Sequence, residues 1–119
     1  MVAPARIVVE DEVGVVVLRF LDRQLMDELA VREAGDQLMS ALHSSGPIRV
    51  ILDFSGVSLI SSSMIGRLVV VQRRVDVSGG LMRLCELSTG VRDVLRTTNL
   101  DRVLIATRDR REAREAFAS

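Results

Sequence analysis

Val15, Val16, Val17 and Leu18 are apolar at four consecutive positions. A strand with one face in water alternates apolar and polar residues, so a run of this kind predicts a strand covered on both faces. The chain must therefore build layers on either side of a sheet. The β-branched run at residues 7–10 precedes it, and Asp11-Glu12 stands between the two runs. This pattern predicts an N-terminal hairpin of residues 7–10 and 13–20, with Asp11-Glu12 as its turn.

Helical and strand periods alternate after the hairpin. Met26, Ala30, Ala34, Leu38 and Leu42 recur at helical spacing across residues 25–42, although Gly35 inside that stretch lowers helix propensity by about 1 kcal/mol relative to alanine. Ser44-Ser45-Gly46-Pro47 ends it. A strand follows at residues 48–54, then Ser61-Ser62-Ser63 and a second helix with Ile65, Leu68, Val69 and Gln72 on one face. Residues 81–87 read as a strand, and Ser88 caps a short helix that ends at Asn99, a residue suited to the left-handed conformation. A short strand at 103–106 and a charged helix at 110–117 complete the order β β α β α β α β α. This is an α/β chain, one domain over residues 1–119, with a mixed sheet covered by four helices.

Composition removes several classes of function. Arginine supplies all sixteen basic residues and sixteen acids balance them, so the formal charge is zero. The absence of lysine excludes a P-loop lysine, a Schiff-base lysine and a lysine general base. With no basic excess, no Trp and no Tyr, a nucleic-acid partner is not expected. The longest apolar run falls far short of the ~20 residues of a membrane span, and the N-terminus lacks the pattern of a secretory signal. One cysteine, Cys85, cannot form an internal disulfide, which fits a reducing compartment and a cytoplasmic location.

Catalytic groups are scarce. His43 is the one histidine, at the exposed end of the first helix, and Cys85 lies in an apolar strand as an inert small hydrophobe. No metal-ligand cluster is present in the sequence, and no cofactor is expected. Asp53 ends a central strand, where a phospho-acceptor aspartate would stand, but the acidic pair and the lysine that such chemistry needs are missing. The serine triplet is the one local feature with mechanistic promise. One hydroxyl suffices for a helix cap, and the free N–H groups and dipole of a helix start favour a phosphate.

The segment Ile51-Leu52-Asp53-Phe54-Ser55-Gly56-Val57-Ser58-Leu59-Ile60-Ser61-Ser62-Ser63-Met64-Ile65-Gly66-Arg67-Leu68 resembles the core signature of STAS domains of the bacterial anti-sigma factor antagonist type. There a strand ending in Asp or Asn leads through a Gly-Val turn to Asp-Ser-Ser-Gly-Leu-Gly. Gly79-Gly80-Leu81-Met82-Arg83-Leu84-Cys85, Val91-Arg92-Asp93-Val94-Leu95 and Thr98-Asn99-Leu100-Asp101 resemble later parts of the family pattern. The resemblance runs from residue 8 to residue 117 and implies a STAS-type fold.

It also implies a function: an interaction module switched by serine phosphorylation. The partners implied are an anti-sigma factor that is also a serine kinase of the histidine-kinase-like ATPase type, and a PP2C-type phosphatase. By position the phosphoacceptor is Ser62, and Asp22, Ser61, Ser63, Met64 and Arg67 form the partner-binding set, Asp22 near the acceptor. Ser61 stands in place of the motif's aspartate and Met64 in place of its glycine, while Gly66 is retained. Met64 is expected near the surface, where a partner approaches, and Ile65 in the core. The alternative is a constitutive STAS scaffold or lipid-transport accessory in which the serines only cap the helix.

Overall fold

The computed structural model describes residues 3–12, 14–43 and 45–118. Two antiparallel strands, β1 (Ile7–Glu12) and β2 (Val15–Phe20), open the fold. Asp11 and Glu12 do not form the turn; they continue β1, opposite Val16 and Val15. The chain reverses beside Gly14, whose φ of 81° favours glycine, and Val13 lies outside the described residues. After the two-residue strand β3 (Gln24–Leu25), helix α1 (Glu28–Ala41) packs on the sheet. Asp27 caps α1 by accepting the Ala30 N–H at 3.0 Å, so Met26 precedes the helix and is exposed. Ala30, Ala34, Leu38 and Leu42 are buried as expected.

Next come β4 (Arg49–Asp53), the short strand β5 (Leu59–Ile60), α2 (Ser62–Val77), β6 (Leu81–Cys85), α3 (Thr89–Thr97) and α4 (Arg110–Glu115). The main sheet runs β1-β2-β4-β6, with β2, β4 and β6 parallel. β3 and β5 form a separate parallel pair that the sequence did not announce. Ser88 caps α3, and Asn99 adopts φ 58° at its end, both as expected. The strand expected at 103–106 reduces to one bridge between Leu84 and Ala106.

Both faces of β2 are covered. Leu18 and Phe20 join Leu52, Phe54, Leu38, Leu68 and Leu84 in the main core under α1, α2 and α3. Val15 and Val17 turn the other way and pack with Ile51, Cys85 and Ala113 of α4, against Phe117. Gly35 does not break α1, and it has a packing role. A Cβ on it would lie 2.9 Å from Cδ of Arg67, so glycine lets the arginine stem of α2 lie across α1.

Candidate functional site at the start of α2

The serine triplet begins α2, and its three hydroxyls differ in role. Ser61 is the N-cap: its φ of −88° and ψ of 166° are extended, and its Oγ accepts the Met64 N–H at 3.1 Å. Its own N–H donates to the Leu25 carbonyl at 2.9 Å, which ties the cap to β3. Serine and aspartate are comparably good caps, so the residue that replaces the motif's acid keeps that position's structural task. Ser62 and Ser63 are exposed, and neither hydroxyl makes a hydrogen bond among the described residues.

The loop carrying the triplet is anchored to the segment after β2. The Ser58 N–H donates to the Arg23 carbonyl at 2.8 Å and the Ser58 hydroxyl donates to the same oxygen at 3.1 Å. The β3–β5 pair continues this seam. Asp22 is one residue from it, yet its carboxylate is engaged elsewhere. It lies 2.9 Å from an Arg6 guanidinium nitrogen, and the same guanidinium meets Glu33 at 2.9 Å. The Glu33 hydrogen bond is the first of the effects that raise the Arg6 pKa.

Met64 does not belong to the surface set. It is fully buried in the main core, as deeply as Leu68. The buried stripe of α2 is Met64, Leu68, Val71 and Val75 with Ile65 and Gln72 beside it, whereas Val69 is only partly covered. The helix is thus rotated from the expected Ile65–Val69 phase. Met64 follows its cap closely, and its long side chain reaches back under the N-terminal turn into the core.

Arg67 is half-exposed, 3.8 Å from Asp36 of α1. Together with Ser63 it lines an open groove of about 870 Å³ between the N-terminal halves of α1 and α2. Asp27, Glu28, Leu29, Arg32, Gly66 and Val70 complete its wall with Val31. Leu29 and Val70 are about half exposed, and a Cβ on Gly66 would meet nothing within 4 Å. Leu29 and Arg32 were not singled out in the sequence, whereas Gly66 was named there only as the glycine retained from the motif.

Other polar groups lie away from the triplet. Asp53 is buried and accepts from Arg110 Nε at 2.6 Å and from the Ser55 N–H at 2.8 Å. Burial pushes the Cys85 thiol up to about 12, with the nearby Asp53 charge adding to the effect. His43 is exposed, just past α1. Among the described residues no group of three or more His, Cys, Asp or Glu side chains is placed to hold a metal ion. None of the described helices is long and apolar enough to cross a membrane.

The family model for the STAS domain matches residues 6–113 of this chain. The chain is a STAS domain. An anti-sigma-factor antagonist (STAS) domain protein from Planctomyces limnophilus is 30% identical to it, with a TM-score of 0.89 over 97% of this chain and 100% of that one. An anti-sigma factor antagonist from Mycobacterium paratuberculosis shares the fold at 18% identity, with a TM-score of 0.82 over 95% of this chain and 93% of the other. So does the Bacillus cell fate determinant SpoIIAA in its phosphorylated form, at 21% identity and a TM-score of 0.66 over 93% and 98% of the two chains. The segment at residues 51–68 forms the end of β4, the β4–β5 loop, β5 and the first turns of α2.

Proposed function

We propose that this STAS domain is a cytoplasmic protein-binding module with no catalysis of its own, switched by phosphorylation of Ser62 in the manner of an anti-sigma factor antagonist. One observation carries the reading: Ser61 supplies the cap, which leaves Ser62 exposed at the first position of α2, its hydroxyl without a hydrogen bond among the described residues. A serine needed for the cap would be a poor acceptor, since modifying it would undo the helix start. The similarity to the phosphorylated form of SpoIIAA supports the same reading at the level of the fold. The partners are a kinase of the histidine-kinase-like ATPase type, which is itself the anti-sigma factor, and a PP2C-type phosphatase.

The energetics favour an off-switch. A phosphate on Ser62 carries about −1.5 to −2 charges at neutral pH. At the α2 N-terminus it gains about 0.3–1 kcal/mol from the helix dipole, so the fold tolerates it. Buried in an interface, the same group costs several kcal/mol unless a cation answers it. Asp22, paired with Arg6, contributes less repulsion than an unpaired acid would. The desolvation cost therefore carries most of the effect.

The test is incubation with the histidine-kinase-like ATPase encoded nearest to this chain, with ATP, read by intact-mass and fragment mass spectrometry. One phosphate on Ser62, absent from Ser62→Ala, is the expected result. Stable association with a partner and no phosphate on any serine would instead assign the constitutive scaffold role.

A further inference from the structure

Asp53 divides its carboxylate between two parts of the molecule. Oδ2 accepts from Arg110 Nε of α4 at 2.6 Å, and Oδ1 accepts from the Ser55 N–H at 2.8 Å, at the start of the loop that leads to the serine triplet. Arg110 also reaches Glu10 of β1, with a guanidinium nitrogen 3.0 Å from Oε2. One arginine thus joins the last helix, the edge strand and the C-terminal end of β4. We propose that Arg110 is a positioning residue for the β4–β5 loop, so that docking of α4 on the far face of the sheet sets how Ser62 is presented on the near side.

The geometry supplies each step. α4 has six residues, too few to persist without tertiary contacts. Its hold on the sheet comes from Ala113 and Phe117 over Val15, Val17, Ile51 and Cys85, and from the Arg110 clamp. If Arg110 leaves, Asp53 stays buried with its charge unanswered, an arrangement the fold relieves by moving the carboxylate toward water. Oδ1 then releases the Ser55 N–H. Beyond Ser55 the loop has little slack: the Val57 N–H donates to Phe54, Ser58 to Arg23, and Ser61 to Leu25. A displacement at Ser55 is passed along a tethered segment. The consequence for Ser62 rests on the phosphorylation reading; the coupling of α4 to the loop does not.

Hydrogen–deuterium exchange on the intact chain tests the coupling without any kinase. In Arg110→Gln, the amides of Ser55, Val57 and Ser58 should exchange about tenfold faster or more, the scale expected when a charge-assisted hydrogen bond to a buried carboxylate is lost. The α4 amides should speed up with them, and central amides of β2 should not change. Arg110→Lys keeps a charge near Asp53 but cannot fork to both carboxylates. It should loosen α4 while leaving the Ser55 amide closer to wild type, and it serves as the comparison if Arg110→Gln does not fold. Faster exchange in α4 with an unchanged loop overturns the proposal, as does an equal rise through β2. Either result leaves phosphorylation of Ser62 untouched, and failure of Ser62 to accept phosphate leaves the coupling standing.

Discussion

Ser61 accepts the Met64 N–H at 3.1 Å, while the hydroxyl of Ser62, next in the chain, faces solvent. Two adjacent residues of one type therefore have different tasks, and the difference is measurable. Ser61→Ala removes the cap of α2 and should cost about 0.5–2 kcal/mol. Ser62→Ala should stay within about 0.5 kcal/mol of wild type, as surface substitutions do. Ser61→Asp, which restores the acid of the family motif, should be neutral or stabilising. Urea titrations of the three variants read this directly, and equal losses for the two alanine variants would mean the cap is shared.

The buried stripe of α2 makes a second prediction. Met64 and Ile65 are both in the main core. Met64→Ala and Ile65→Ala should each destabilise by about 2–5 kcal/mol in a denaturant titration. A small effect of Met64→Ala would place that side chain at the surface and restore it to the partner-binding set.

Gln72 is a weak point of the same helix. Its Nε2 donates to Asp76 at 2.9 Å, but its buried Oε1 has no hydrogen-bond partner among the described residues. An apolar replacement of similar length removes that unpaired acceptor, and Asp76, which is exposed, is rehydrated. Gln72→Met should raise the unfolding free energy by about 1 kcal/mol. A lower melting temperature would show that the oxygen has a bound water worth more than the burial.

The buried Cys85 thiol makes the stability of the fold depend on alkaline pH. The thiol is raised to about 12 in the folded chain, chiefly by burial, from an ordinary value of 9.0. A raised pKa stabilises the fold fully below the unfolded value and loses that contribution as pH rises toward the folded one. Stability should therefore fall between about pH 9 and pH 12 in wild type and fall less in Cys85→Ala. At pH 8 the native thiol should react with a disulfide reagent far more slowly than the urea-unfolded chain. Prompt labelling of the native protein would contradict the burial.

Much of the fold is legible in the residues because it rests on local patterning. Val15, Val16, Val17 and Leu18 called for a sheet covered on both faces, and Leu18 and Val17 do point into opposite cores. Ser88 and Asn99 act as caps because their side-chain and backbone preferences are local. The misreadings have tertiary causes. β3 and β5 have two residues each, too short for a period, and exist because the two segments pair with each other. Asp11 and Glu12 are poor strand formers held in β1 by the register with β2. Within the site, the family motif pointed to Ser62 as the proposed acceptor, but the different hydrogen bonding of Ser61 and Ser62 needed the cap geometry. Arg110 was illegible as a partner of Asp53, since 57 positions separate them.

The central claim is that phosphate on Ser62 releases a partner without unfolding the domain. Calorimetric titration of the kinase partner with wild type, Ser62→Ala, Ser62→Asp and the phosphorylated chain tests it most directly, with melting temperatures measured alongside. Wild type and Ser62→Ala should bind alike, and Ser62→Asp should bind more weakly. The phosphorylated chain should lose at least about a hundredfold in affinity, as expected for several kcal/mol of uncompensated desolvation, with its melting temperature nearly unchanged. Four indistinguishable affinities would contradict the account and leave the triplet as the start of a helix.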